Sequence, residues 1–363
     1  MSTISSPLLL GWTPTSLSDG HSLKLGVRSL VLESSDSLRL TGYALTLWPN
    51  GWRALDAVGV GDNLREKSVR IIGYKVASQD TKVPTSEADV NLRKLEIRCV
   101  RRKDLLESLE KELPQGTIRY SSKVVSIEES AKFKLIYLAD GSLVRTKVLI
   151  GCDGVNSKVA NWLALESPVS AGGRSSIRGI VEYPDGHVFE PKVHTYIGGV
   201  LAMHQRVLDV VERTELDCIS YAAIKYRSPW NVLLGNIVKD NVCVAGDALH
   251  PMPPYTSQGG GSALEDGVIL ARCLSEALLT KQRGNMKETD DEDYVKMENG
   301  LKRYSQERKW RSFSLISIAY VVGWIQGSDS KVMGFLRKKF LARFTLGTMV
   351  RMAQFDCGKL VFT

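Results

Sequence analysis

The sequence is poor in the groupings that bind metals or form disulfides. Its six cysteines (Cys99, Cys152, Cys218, Cys243, Cys273, Cys357) include no C-x-x-C pair, and its five histidines show no H-x-H or H-x-x-x-H spacing. That pattern argues against the common zinc sites and against a disulfide framework, and points to reduced thiols in an intracellular protein. No apolar run reaches the roughly 18 residues that a membrane-spanning helix needs. The first twenty residues, MSTISSPLLLGWTPTSLSDG, contain no Lys or Arg. Their absence argues against a secretory leader and an Arg-rich presequence, and leaves cytoplasm and plastid both open. Low complexity is lacking too, since 43 % hydrophobic and 24 % charged residues describe an ordinary globular chain. Its 363 residues suffice for a cofactor domain plus a substrate domain, because single cores stop growing near roughly 250–300 residues.

Excess charge is scarce except at one end. Of the net +8, +7 arises from Lys281 onward, where 16 Lys and Arg face 9 Asp and Glu. An acidic run from Glu288 to Asp293 interrupts the basic residues, and no base-stacking aromatics accompany them, so no nucleic-acid partner is expected. The stretch Arg337-Lys338-Lys339-Phe340-Leu341-Ala342-Arg343-Phe344 is a candidate for peripheral contact with an anionic membrane.

What is present alternates between strand and helix patterns. Leu30-Val31-Leu32 reads as a short buried strand ending in Glu33, and Pro49-Asn50-Gly51 opens a helix that stops near Gly59 or Gly61. Lys123 to Ile127, Phe133 to Leu138 and Leu143 to Ile150 read as strands, the last two joined by an Asp140-Gly141 turn. Further on, strands are expected at Ile177 to Glu182, Val193 to Ile197 and Val242 to Ala245, and helices at Gln205 to Arg213 and Ser262 to Leu279.

Three motifs carry chemistry. Glu33 ends a strand, where a carboxylate can accept hydrogen bonds from the two hydroxyls of an adenosine ribose. Gly151-Cys152-Asp153-Gly154-Val155-Asn156-Ser157 lets backbone amides approach a phosphate; its plainer reading is an Asp-Gly turn with Ser157 as a helix N-cap. Gly246-Asp247-Ala248-Leu249-His250-Pro251-Met252-Pro253-Pro254, followed by Gln258-Gly259-Gly260-Gly261, is the most specific. It sets an acid at a strand end, stiffens the turn with prolines and presents glycine amides at a helix start. His250 has no evident Asp partner in sequence and reads as a structural histidine beside a cofactor.

These pieces, with Arg39-Leu40-Thr41-Gly42 and Arg102 at the head of a helix, stand in the order that resembles FAD-dependent monooxygenases related to para-hydroxybenzoate hydroxylase. The likeness is to the plant branch of zeaxanthin epoxidase and salicylate-hydroxylase-like enzymes, and runs from about Leu25 onward. It implies an α/β fold: a Rossmann-like (GR2-type) FAD-binding domain over 21–72, 95–170 and 235–281, an antiparallel-sheet substrate domain over 73–94 and 171–234, and C-terminal helices over 282–363. The implied cofactor is FAD with NAD(P)H as co-substrate, serving oxygen insertion into a small aromatic or isoprenoid-like molecule. By the same resemblance Glu33 serves the adenosine ribose, Arg102 the diphosphate, and Arg39 is a further cofactor-binding residue. Asp153 and Gly154 serve FAD and NAD(P)H, Gly246 and Asp247 the ribityl chain, and Pro254, Gly259 and Gly260 the isoalloxazine. No catalytic residue is assigned and the oligomeric state is left open.

The sequence departs from the pattern where the FAD diphosphate turn belongs. About 20 residues before Glu33 a G-x-G-x-x-G should begin, yet Leu8 to Gly20 holds only Gly11 and Gly20. Residues 1–20 are therefore expected to form no folded element, leaving the sheet without its first strand and phosphate turn. The region between Gly154 and Gly246 is short, with an expected seam at Gly198-Gly199-Val200, and Ser257 stands where a positive φ favours Gly. An impaired or inert relative is the competing reading, and a flavin-dependent reductase a third.

Overall fold

Short, nearly unbroken apolar runs set the centre of the molecule. Val31-Leu32, Val148-Leu149-Ile150 and Val242-Cys243-Val244 are all buried, as parallel strands covered on both faces must be. The computed structural model describes residues 2–10, 29–39, 42–78, 85–197, 205–279, 290–327 and 342–360. Strands β1 (Ser2–Leu10), β2 (Leu30–Leu32) and β3 (Ala44–Leu47) precede helices α1 (Pro49–Ala57) and α2 (Gly61–Lys67). Then come β4 (Val69–Arg70), β5 (Gly73–Ser78), β6 (Thr85–Asn91), β7 (Arg98–Arg101) and α3 (Arg102–Lys111). A run of β8 (Ile118–Arg119), β9 (Val124–Ser130), β10 (Phe133–Leu138) and β11 (Leu143–Gly151) leads to α4 (Lys158–Trp162). Next are β12 (Val169–Gly179), β13 (Lys192–Ile197), α5 (Gln205–Glu212), β14 (Ile219–Tyr226) and α6 (Pro229–Leu234). Beyond them lie β15 (Val238–Lys239), β16 (Val242–Val244), α7 (Gly259–Leu279), α8 (Asp290–Gly327) and α9 (Ala342–Met352).

The main sheet has the order β15-β16-β11-β1-β2-β8. From β16 to β8 its neighbours are parallel. The β9–β10 hairpin pairs with the first half of β11, while the second half pairs with β16. The chain fills the β2–β8 side first and the β11–β16 side later, so the topological switch point lies between β1 and β11. Three small sheets, β3-β7-β4, β13-β5-β6 and β12-β14, complete the α/β architecture, their pairs antiparallel except β13 with β5. Helix α7 is buried continuously from Gly261 to Ala271, enclosed by α1, α8, β3 and the turn at Gly246–Ala248, so the polar residues it carries there, Ser262, Glu265 and Asp266, must find partners inside the protein.

The expectation of a missing first strand fails. Ser2–Leu10 is a strand at the switch point, with Leu8, Leu9 and Leu10 in register with Leu149, Ile150 and Gly151 on one side and with Leu30, Val31 and Leu32 on the other. Its Ser- and Thr-rich start and Pro7, which lacks an N–H, hid it; the ladder shifts register between Ile4 and Pro7. Residues 11–28, where the phosphate turn was sought, and the seam at Gly198 to Val200 lie outside the described residues. The strand expected from Ile177 begins earlier, at Val169, and ends at Gly179.

Because Leu9 is paired on both sides, Leu9→Pro is expected to destabilise the fold by roughly 2–4 kcal/mol through a lost ladder bond and a stranded carbonyl. Ser5→Pro, in the register shift, should cost much less, and thermal melts of the two variants compare them directly.

Candidate functional site

Four strand ends make a row. Leu32, Leu10, Gly151 and Val244 are register partners across β2, β1, β11 and β16, so Glu33, Asp153 and Asp247 all emerge at the carboxyl edge of the parallel sheet. That edge, at a switch point, is where open α/β sheets bind ligands.

At the β2 end, Glu33 is buried, and its Oε1 accepts from the Ser35 amide (2.8 Å), Arg39 Nη2 (3.0 Å) and Ser34 Oγ (3.1 Å). Arg102 opens α3, its amide donating to Tyr43 O (3.1 Å). Its side chain lies over Gly42, at φ +109°, where a Cβ would come within 2.9 Å of Arg102 Cδ. Burial pushes the Arg102 guanidinium below its ordinary pKa; Arg39 and Arg178 push it further, while Asp247 and Glu33 oppose. Three guanidinium groups and two carboxylates thus converge, and Arg102 Nε is buried without a hydrogen-bond partner. Arg178, on β12, was not foreseen from sequence.

Asp153 turns back on its own loop. It accepts from Ser157 Oγ (2.5 Å) and the Lys158 amide (2.6 Å), while Ser157 caps α4 by accepting from the Ala160 amide (2.9 Å). Burial raises the Asp153 carboxyl above its ordinary range despite these bonds. The N-cap reading of this segment is therefore realised, with Gly154 beside it at the sheet edge.

Asp247 is exposed at its surface, yet the protein packed around it raises its carboxyl above the ordinary range, while His250 and Arg102 pull it back. The turn before it needs Gly246, whose φ is +59°. The Gly246 amide donates to Asp266 Oδ2 (2.7 Å), and the same oxygen lies 2.7 Å from His250 Nε2. A carboxylate only accepts, so His250 Nε2 carries the proton. The partner that sequence did not reveal is Asp266, one helix away on α7.

Behind that turn lies a charge network in which Arg308, Glu265 and Asp266 are fully buried. Arg308 of α8 donates Nε to Asp266, Nη1 to Glu265 (2.7 Å) and Nη2 to Ser262 Oγ (2.8 Å). Arg311 binds Glu265 Oε1 (2.7 Å), and Asn50 of α1 donates to the same oxygen (2.6 Å). Burial opposes ionisation of Glu265 and Asp266, but Arg308, helped by Arg311 and His250 respectively, holds both carboxyls below their ordinary range. From the other side Arg227, buried and pushed by that burial down to about 10, still charged at neutral pH, donates to the Ala248 (3.1 Å) and Leu249 (3.2 Å) carbonyls. Asp247 is thereby held between two buried arginine clamps.

Pro254, Gly259 and Gly260 belong to a neighbouring feature. Pro254, Tyr255 and Ser257 border a recess of about 190 Å³ whose other walls include Trp48, Ile71, Leu92, Ile97 and Met349. Gly259 and Gly260 begin α7, where a Cβ on Gly260 would touch Leu45 at 3.6 Å. Ser257 is left-handed (φ +51°, ψ +30°), as its position suggested.

Replacing Arg308 by Met removes the cation that two buried carboxylates share, leaving Glu265 to Arg311 and Asp266 to His250, and is expected to cost about 3–5 kcal/mol. The depressed carboxyls stabilise the fold above their unfolded pKa values of roughly 4, and that stability is lost as pH falls through the folded values. Arg308→Met should therefore move acid unfolding to higher pH, as followed by circular dichroism. Ser257→Gly relieves a left-handed side-chain residue and should gain up to about 1 kcal/mol in denaturant titration.

Comparison with known proteins agrees with this geometry. The FAD binding domain family matches residues 8–197 and 205–293. Monooxygenase 2 of Arabidopsis thaliana is 43 % identical over 93 % of this chain and 93 % of its own, and Monooxygenase 1 of the same plant is 32 % identical over 92 % and 94 %. Klebsiella pneumoniae HpxO, solved with FAD and uric acid, superposes with a TM-score of 0.74 over 98 % of both chains at 18 % identity. The family match over most of the chain, with two relatives above 30 % identity that cover more than nine-tenths of it, places the chain in the FAD-binding-domain family of flavin-dependent monooxygenases, of the para-hydroxybenzoate hydroxylase type.

Proposed function

We propose that the chain transfers one oxygen atom from O2 to a small, uncharged, ring-bearing or isoprenoid-like substrate, with NAD(P)H as reductant. The convergence of Arg39, Arg102 and Arg178 beside Glu33 and Asp247 carries this reading. Burial depresses the Arg102 guanidinium, the charges of Arg39 and Arg178 depress it further, and a diphosphate beside it would relieve that repulsion. The partnerless Arg102 Nε and the side-chain-free start of α7 at Gly259 and Gly260 also suit a flavin dinucleotide.

FAD, when bound, supplies the redox chemistry and the activation of oxygen. The chain's residues hold and orient. Glu33 would accept from the adenosine ribose, Arg102 and Arg39 would face the diphosphate, and Gly246 and Asp247 would hold the ribityl chain. Pro254 and the amides of Gly259 and Gly260 would border the isoalloxazine, the helix start favouring negative charge there. Asp153 and Gly154 would line the side that NAD(P)H approaches. In this reading segments 21–72, 95–170 and 235–281 carry the cofactor, and 73–94 and 171–234 the substrate.

The 190 Å³ recess supports a compact substrate, since about 150 Å³ accommodates benzene. None of its described lining residues is charged, and the buried Trp48 Nε1 in its wall has no partner. An oxygen acceptor on an otherwise apolar ring satisfies that donor. A second reading, weakened FAD binding, is favoured by the absence of G-x-G-x-x-G between Leu8 and Gly20.

An absorption spectrum separates the two. Purified protein with near-stoichiometric flavin and substrate-stimulated NAD(P)H oxidation supports the monooxygenase; colourless protein that FAD titration does not fill supports the second reading. In the first case Asp247→Ala is expected to weaken FAD binding at least about tenfold, the loss of a charge-assisted hydrogen bond.

A further inference from the structure

The turn that leads from the Gly246 strand end into helix α7 is held from several sides. Pro253 and Pro254 fix two backbone angles in a row. A single 3-10 turn, Pro254–Thr256, follows, and Ser257 closes it in the left-handed region with its amide on Pro254 O (3.1 Å). Tyr255 is the middle residue of that turn, and its side chain borders the 190 Å³ recess. Two elements remote in sequence then hold the ring. Gly323 of α8 offers no side chain, and a Cβ built there would lie 2.2 Å from Tyr255 Cε2, so the ring packs on bare helix backbone. Arg174 of β12 donates Nη1 to the Gly323 carbonyl (2.7 Å) and to the Tyr255 hydroxyl oxygen (3.3 Å). A guanidinium has no acceptor, so the Tyr255 oxygen accepts from it and the phenolic hydrogen is left to donate elsewhere. No hydrogen bond among the described residues uses that hydrogen.

We propose that Tyr255 gives this hydrogen to an oxygen acceptor on the substrate, and that Arg174 is its positioning residue. The proposal rests on the reading of the recess as the substrate site and deepens it to a chemical class: a neutral ring that carries a carbonyl or ether oxygen. The lining supplies the reason. It is largely apolar, with Ile71, Leu92, Ile97, Val193 and Met349, and no described lining residue is charged. A carboxylate there loses its hydration without gaining a counter-charge, whereas a neutral acceptor needs only a donor. Arg174 does not itself line the recess, and its Nη1 is engaged by two oxygens. Tyr255 is thus a second donor in addition to the partnerless Trp48 Nε1. Because the ring is fixed before a ligand arrives, little side-chain freedom is lost when the bond forms.

Calorimetric titration of the full chain with three near-isosteric probes tests this without recourse to turnover. Acetophenone offers a neutral acceptor, ethylbenzene none and benzoate a charged one, and the parent is expected to bind acetophenone most tightly. Tyr255→Phe keeps the ring on Gly323 and should weaken acetophenone about three- to tenfold, the range of one neutral hydrogen bond, with ethylbenzene unchanged. Arg174→Met should weaken acetophenone by a smaller factor and add nothing in the Tyr255→Phe background, where an arginine that only stabilised the fold would still act. Tyr255→Phe or Arg174→Met binding acetophenone as the parent does, a parent that binds ethylbenzene or benzoate as tightly or none of the three, or an Arg174→Met loss that persists in the Tyr255→Phe background would each overturn the proposal. Flavin content and NAD(P)H oxidation are measured separately, so failure of the monooxygenase reading and failure of the role of Tyr255 give different results.

Discussion

A buried carboxylate on the central helix, Asp266, is the constraint on which the rest of the site depends. It accepts from the Gly246 amide, from His250 and from Arg308, and the Asp266, His250 and Arg308 side chains are all sealed from water. A charge so placed is tolerable only while paired. The strand-end turn that presents Asp247 therefore requires α8, which delivers Arg308 from beyond the main sheet. Arg227 grips the following carbonyls from the opposite side. The turn is braced by elements far apart in sequence, which is how a loop stays rigid enough to aim one acid at a ligand.

The same helix has two further roles set by its periodicity. Its inner face supplies Arg308, Arg311 and the close contact at Gly323, while its outer face presents Trp310 and Trp324. Gly323 admits the Tyr255 ring where any side chain would collide, with a built Cβ lying 2.2 Å from it. The turn at Gly246 and Asp247, the recess and the aromatic surface are thus linked through one helix.

Much of the site was legible because it resides in local signals. A strand ending in Glu33 or before Gly246-Asp247, the Asp140-Gly141 hairpin and the left-handed Ser257 each follow from a few consecutive residues. Strand β1 was not, because Pro7 and a polar start lack strand character of their own, and its pairing comes from β2 and β11 on either side. Tertiary pairing overrode local propensity there. The partner of His250 was equally hidden: Asp266 lies 16 residues on, and nothing in the helical pattern of α7 says which turn faces the strand end.

The linear order of residues settled the family, the cofactor class and the identity of most acids at the sheet edge, since those rest on turn and strand chemistry confined to short segments. Packing settled which charges meet. Arg39, Arg102 and Arg178 come from three separate segments, and the charges of Arg39 and Arg178 bear on Arg102 only once those segments are folded together. The clamps at Arg227 and Arg308, the uncharged recess and the aromatic outer face of α8 likewise arise from long-range contacts, where burial and not sequence spacing determines what each side chain touches.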